Sequence, residues 1–304
     1  MKYDFTLLTD HRYLQTKSGN KYISNIFEED RLLTAALIKL GYSVHRTNWD
    51  NPDFDWTQTR FAVFRTTWDY FERIDEFQSW FQRVSNQTIF INPASLIEWN
   101  LDKHYLLDIS NKGIAIPPTL FLERGEKKTL LEICKQSGWN EFILKPAISG
   151  AARHTYRFTM DGIPTLETIF KELISNESMM VQQYMESITS KGEVSMMVFG
   201  GKYSHSVLKK AKEGDFRVQD DFGGSLHAFE PDGDEITFAE TVVQCCEKVP
   251  IYARVDVVWD LKGNLCVSEL ELIEPELWMR KHPESANRFA KELDRSAGNP
   301  IPIP

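Results

Sequence analysis

The chain of 304 residues is 42% hydrophobic and 26% charged, which excludes a wholly disordered chain, a collagen-like repeat and a coiled coil. Its 35 Lys and Arg stand against 44 Asp and Glu, a formal net charge of −9. That sign argues against nucleic acid as a partner and against a polybasic membrane anchor.

Asp4 and Asp10 interrupt the opening segment where a secretory leader needs an unbroken apolar run. No stretch approaches the roughly 18 apolar residues of a membrane span, so a cytoplasmic chain without a membrane partner is expected. Residues 4–9 read as a strand. Residues 25–40 read as a helix with Ile26, Leu33, Ala36, Leu37 and Leu40 on one face and Gly41 as its stop. Residues 42–46 and 61–65 read as buried strands, 74–84 as an amphipathic helix carrying Phe77, Trp80 and Phe81, and 89–91 as a strand entering Asn92-Pro93. This alternation predicts a small open α/β domain with a mostly parallel sheet. It holds no Gly-x-Gly-x-x-Gly, so nothing supports a dinucleotide site.

From residue 102 the pattern changes. A helix is expected over 102–112 and stops at Gly113. Strands are expected over 119–122, 142–145, 155–158 and 179–184, with helices over 130–137 and 165–173 among them. Strands over 193–199, 202–210, 252–259 and 265–272 follow, two pairs of them joined by the short turns at Gly200-Gly201 and 260–264. This is α+β organisation with antiparallel sheets, with boundaries expected near 100 and 185. Cys134, Cys245, Cys246 and Cys266 lack metal-ligand spacing and read as reduced thiols. The tail 297–304, rich in proline, is expected to be extended.

Four segments carry chemistry. The first is Tyr252-Ala-Arg-Val-Asp-Val-Val-Trp259, a tight turn, and Leu265-Cys-Val-Ser-Glu-Leu-Glu271. Strand alternation puts Glu269 and Glu271 on one face, with Asp256 on the partner strand. Carboxylates in apolar strands are costly unless paired or bound to metal. Three hard oxygen ligands suit Mg²⁺, with a solvated hairpin face as the alternative. The second is Glu141-Phe-Ile-Leu-Lys145-Pro146 and the small loop 147–153 with Ser149 and Gly150. A lysine ending an apolar strand can meet an anion, and such a loop can offer N–H groups to phosphate; an ordinary surface turn fits equally. The third is Met179-Met-Val-Gln-Gln-Tyr-Met185 followed by Glu193, which is either a core strand or one edge of a purine slot with a ribose-binding carboxylate. The fourth is the basic stretch 209–219, in which Lys209 and Arg217 can clamp a phosphoryl group or lie on a solvated loop.

The order of these features, beginning with the lysine of Asn100-Leu-Asp-Lys103 on a helix, resembles the ATP-grasp superfamily in its glutathione-synthetase-like, carboxylate–amine ligase branch. The resemblance covers about residues 90–280. The wording Asn92-Pro93…Trp99-Asn-Leu-Asp-Lys103 and Glu269-Leu-Glu-Leu-Ile-Glu-Pro275 is also similar to the ring-closing ligases of cycloserine biosynthesis. The resemblance implies an ATP-grasp fold, two α+β subdomains at 101–184 and 185–304 that grip ATP, preceded by a Rossmann-like α/β domain at 1–100. It implies that Lys103 and Lys145 contact the α- and β-phosphates of ATP and that the loop 149–153, with Ser149 and Gly150, covers them. Gln183, Tyr184 and Met185 would line the adenine pocket, partly through backbone, and Glu193 would hold the ribose. Lys209 and Arg217 would face the γ-phosphate and the acyl phosphate as the catalytic pair. Asp256, Glu269 and Glu271 would hold Mg²⁺, with Mn²⁺ as an alternative ion. Two departures stand out: Glu271 where relatives commonly carry Asn, and a loop 147–153 with few glycines.

The implied reaction joins a carboxylate to an amine through an acyl phosphate, releasing ADP and phosphate. The expected partners are small-molecule substrates, an amino acid or peptide-like molecule, and a homodimer is left open. An intramolecular cyclo-ligase, a kinase without amine transfer and a nucleotide-binding regulator are the rivals. For substrate, Arg65 follows a strand of the first domain and can meet a carboxylate, with Trp68 and Tyr70 as walls or as interface packing. Asp10, His11 and Arg12 are similarly placed.

Overall fold

The computed structural model describes residues 1–15, 20–218 and 222–298. Of the expected extended tail 297–304, Ala297 and Gly298 instead end a helix, and the rest, like Gln219 of the basic stretch, lies outside the described residues.

The first part comprises β1 (Tyr3–Thr9), α1 (Lys21–Lys39), β2 (Val44–Asn48), β3 (Thr59–Thr66), α2 (Ile74–Val84), β4 (Ile89–Ile91) and α3 (Ala94–Leu101). Its sheet runs β2-β1-β3-β4 with all pairs parallel. Continuous burial along β1 and β3 follows from covering a parallel sheet on both faces. Helix α1 starts earlier than its apolar period indicates because the Asn20 side chain accepts from the Ile23 N–H and caps it.

The second part comprises α4 (Tyr105–Asn111), β5 (Thr119–Leu122), α5 (Leu130–Ser137), β6 (Glu141–Pro146), β7 (Tyr156–Thr159), α6 (Ile163–Asn176) and β8 (Met179–Gln183). Its antiparallel sheet runs β5-β8-β6-β7. The third comprises α7 (Ser187–Ser190), β9 (Glu193–Phe199), β10 (Lys202–Lys210), β11 (Ser225–Ala228), α8 (Gly233–Gln244), β12 (Tyr252–Trp259), β13 (Leu265–Glu271) and α9 (Glu284–Gly298). Here the antiparallel order is β11-β10-β9-β12-β13. Among the described residues no helix is long and apolar enough to cross a membrane, and all four cysteines are free.

The expected helix over 102–112 is narrowed to α4, and α3 is a separate helix before it. Asp102 is extended (φ −108°, ψ 125°) and ends α3, so Lys103 stands in the turn before α4 and not on a helix. Helices α8 and α9 were not expected. Helix α9 buries Phe289, Ala290 and Leu293 in one core with Phe5, Leu33 and Leu37 of the first part and Phe199 and Tyr252 of the third.

The end of β13 and the segment beyond it are held by side chains that take their carbonyls almost in turn. Asn100 Nδ2 donates to Leu270 at 2.8 Å and Asn92 Nδ2 to Leu272 at 2.8 Å. The Tyr252 hydroxyl donates to Ile273 at 2.6 Å, the Trp68 indole to Glu274 at 2.9 Å, and Arg65 to Pro275 at 3.4 Å. A chain satisfied in this way needs no strand partner there to stay in place.

Candidate active site

A cavity of about 360 Å³ is lined by strand residues of the second and third sheets and by loop and helix residues of all three parts. Asp256, Glu269 and Glu271 meet on its wall, each offering an oxygen within 4.8 Å of the others. The hairpin register explains this. Asp256 pairs with Glu269 and Arg254 with Glu271, so the period of two brings all four side chains to one face. Arg254 donates to Asp256 at 2.8 and 2.9 Å and also to Glu271. Ser195 and Lys209 complete the Asp256 shell at 2.6 and 3.0 Å.

Burial works against charge at Asp256, but Arg254 and Lys209 outweigh it and hold the carboxyl well below the usual range. Burial likewise opposes Glu269, yet Lys103 and Lys145 keep it lowered. Glu271 is pushed up to about 8 by burial, only partly relieved by Arg254 and aggravated by Glu269 and Asp256. Three clustered carboxylates of which one resists ionisation make a donor set that gains from a divalent cation. Hard oxygens in this number fit Mg²⁺.

The predicted phosphate residues gather beside this cluster. Lys103 Nζ lies 3.1 Å from Glu269 and donates to the Ser149 carbonyl at 2.5 Å. Lys145 is half-buried on the same wall, and its desolvation lowers its pKa despite Glu269. Ser149 and Gly150 both line the cavity. The loop reaches its shape with few glycines, because Ala151, Ala152 and His154 all take positive φ (48°, 55° and 49°). Gly150 is required for another reason: a Cβ there would meet the Phe71 ring at 2.5 Å. Arg153 of this loop turns away to Glu177 and the Ile148 carbonyl.

Lys209 pairs with Glu193 across β10 and β9 and reaches it at 2.7 Å. Burial disfavours its charge, but Asp256 and Glu193 more than compensate and raise its pKa. Arg217 lines the cavity with its guanidinium on Asp215 at 2.7 Å and over the Phe222 ring at 3.8 Å.

Two expectations are corrected. Gln183, Tyr184 and Met185 are not among the cavity-lining residues; Gln182 and Ile188 are. Alternation along β8 turns Gln182 one way and Gln183 the other, and Tyr184 packs under the Arg157 guanidinium at 3.8 Å. Arg65 does not face the cavity either. It is 1% exposed, 3.7 Å from Asp30 of α1, and its outward reach ends on the Pro275 carbonyl. Trp68 and Tyr70 do line the cavity, as does Arg12, which is tied to buried Asp10 at 2.7 Å. His11 stands near Asp69 and is largely exposed.

Sequence reasoning missed Arg254 and Trp278. Arg254 was legible as the residue two before Asp256 on the same strand face. Trp278, held at φ +46° with the Arg254 guanidinium 5.2 Å from its ring, left no local signal.

Residues 107–267 match the family described as prokaryotic glutathione synthetase, ATP-grasp domain. The chain therefore belongs to the ATP-grasp ligases, which couple ATP and Mg²⁺ to the joining of a carboxylate and an amine with formation of a C–N bond. Residues 6–92 match the D-cycloserine synthetase DcsG N-terminal domain. Among individual relatives, the cycloserine biosynthesis protein DcsG of Streptomyces lavendulae is 29% identical over 275 residues, 86% of this chain and 91% of that protein. The crystal structure of D-cycloserine synthetase DcsG superposes with a TM-score of 0.84 at 27% identity, covering 96% of this chain and 99% of that one. D-alanine–D-alanine ligase of Bacillus anthracis in complex with ATP shares the fold at a TM-score of 0.63 and 15% identity, covering 98% of each chain.

Proposed function

We propose that this site ligates a carboxylate to an amine carried by a small amino acid or peptide-like molecule, and that the residues named above divide the work. The supporting observation is the meeting of Asp256, Glu269 and Glu271 within 4.8 Å in a cavity that Lys103, Lys145 and Lys209 also line. Asp256, Glu269 and Glu271 would hold Mg²⁺, which neutralises phosphate charge when bound. Lys103 and Lys145, with the loop at Ser149 and Gly150, would bind the phosphates of ATP. The adenine would lie against Gln182 and Ile188, with the backbone of 183–185 at its edge, and Glu193 would accept from the ribose. The substrate carboxylate oxygen attacks the γ-phosphorus, ADP leaves, and the amine displaces phosphate from the acyl carbon. Arg217, Lys209 and Arg254 stabilise the charge that develops in both steps, and no covalent nucleophile is needed. The division of the chain that goes with this reading is 1–100, 101–184 and 185–304.

A second reading, ring closure within one molecule, draws on the match of residues 6–92 to the DcsG N-terminal domain, since this part supplies Arg12, Trp68 and Tyr70 to the cavity. The test is phosphate release from Mg-ATP with panels of amino acids, alone and in pairs, followed by product mass. A product equal to two reactants less one water supports ligation between molecules. A product one water lighter than a single amino acid supports ring closure. A phosphorylated product with no loss of water overturns both in favour of a kinase.

A further inference from the structure

Among the described residues, every buried or half-buried carboxylate that lines the cavity has a cation, with one exception. Asp256 and Glu271 have Arg254, Glu269 has Lys103, Glu193 has Lys209 and Glu276 has Arg280. Glu274 has no ion pair among the described residues; its side-chain partner is the Tyr70 hydroxyl. It is nonetheless held firmly, because Trp68 and Arg65 fix the carbonyls of Glu274 and Pro275. Trp68 itself stands in an aromatic group, with ring centroids 5.7 Å from Tyr13 and 6.0 Å from Tyr22, and all three line the cavity. Trp278 lines the same cavity, and its buried Nε1 has no hydrogen-bond partner among the described residues.

A carboxylate placed on an aromatic wall with no cation of its own is a receptor for one. Burial pushes the Glu274 carboxyl up to about 7, and Lys103, already paired with Glu269, relieves this only in part while Glu269 adds to it. A ligand cation would supply what the protein withholds, and the neighbouring rings would add cation–π attraction. Arg12 on the same cavity offers the opposite charge for an anionic group.

We propose that Glu274, with Trp68 and Tyr70, is the subsite for the ammonium group of an amino-acid substrate. The proposal rests on the ligase reading and deepens it: the substrate is zwitterionic, its carboxylate toward Arg254 and the carboxylate cluster, its ammonium at Glu274. The site does not require that this nitrogen be the nucleophile, so a second amine on the same molecule can close a ring while the ammonium stays bound.

The test uses the complete chain with Mg-ADP, titrated calorimetrically with D-alanine, D-serine and β-aminooxy-D-alanine, and with propionate, 3-hydroxypropionate and 3-aminooxypropionate as their counterparts without the ammonium. At least one amino acid should bind about 30-fold or more tightly than its counterpart, the size expected for a desolvated charge pair. Glu274→Gln should erase that difference while Mg-ADP affinity and the melting temperature hold. Tyr70→Phe should reduce the difference in part. An undiminished preference in Glu274→Gln, no binding of any amino acid, or loss of Mg-ADP affinity (which would place Glu274 among the metal ligands) each overturns the proposal. Phosphate release from Mg-ATP is read separately. Release with an unaltered preference in Glu274→Gln sinks the subsite and leaves the ligase; Glu274-dependent binding without release sinks the ligase and leaves the subsite.

Discussion

Arg65 and Glu269 are both charged residues at the end of apolar strands, and their surroundings assign them opposite kinds of work. Arg65 is enclosed between Asp30, Phe289 and the Pro275 carbonyl. Arg65→Ala should lower unfolding stability by about 2–4 kcal/mol in urea titrations, since it opens a void and strips a cation from buried Asp30, which keeps Arg46. Glu269 reaches the cavity, and Glu269→Gln should leave the urea midpoint nearly unchanged while kcat for phosphate release falls by about 10²- to 10³-fold. An Arg65→Ala protein of wild-type stability, or a Glu269→Gln enzyme of wild-type kcat, would refute the respective assignment. The carboxylates were legible in the sequence because strand alternation alone puts Asp256, Glu269 and Glu271 on one face. Arg65 misled because a residue at a strand end turns to whichever side holds its partner. That partner, Asp30, lies on a helix far upstream, with no local mark of the pairing.

At the level of elements, the third sheet's strands were readable to the residue at β9, β10 and β12, where tight turns and apolar runs bound them on both sides. The helices were read less well. The capping box of Asp232 and Glu235 and the apolar spacing of α8 were present in the chain, as was the Phe289–Leu293 spacing of α9, and neither was used. The break between α3 and α4 has a tertiary cause: Asn100, the penultimate residue of α3, donates to the Leu270 carbonyl and accepts from the Leu272 N–H, each at 2.8 Å. It acts as a strand partner for the chain that carries Glu269 and Glu271. Asn100→Leu should therefore cost about 2–6 kcal/mol by leaving two buried main-chain groups unpaired. It should also weaken Mg²⁺ binding, measured by calorimetry with ADP present, because the ligand spacing depends on that bond. Unchanged Mg²⁺ affinity together with unchanged stability would show that β13 keeps its place without α3.

For the molecule as a whole, the cavity depends on three sheets being held together at one point, and the join between the third sheet and the segment leading to α9 contains a titratable group. His205 on β10 is 4% exposed, with Nε2 2.7 Å from the Leu277 carbonyl, Nδ1 3.0 Å from Ser204 Oγ and its ring 4.6 Å from that of His282. Burial is the main cause of a pKa lowered to about 4; the Leu277 bond and Glu284 pull it up, and His282 and Arg288 push it down. The unfolded chain binds this proton near 6.5 and the folded chain only near 4, so between those values the unfolded state holds more protons. The stabilising contribution of His205 is thus complete above pH 6.5 and is lost as pH falls toward 4, amounting to about 3 kcal/mol at most. Carboxyls with raised pKa values, Glu271 and Glu274, have the opposite slope in an overlapping window, so the total curve does not isolate the histidine. The difference between wild type and His205→Gln does. That difference in unfolding free energy should shrink steadily as urea titrations move from pH 7 to pH 5. If the two proteins lose stability in parallel over that range, His205 is not the group that loosens this join.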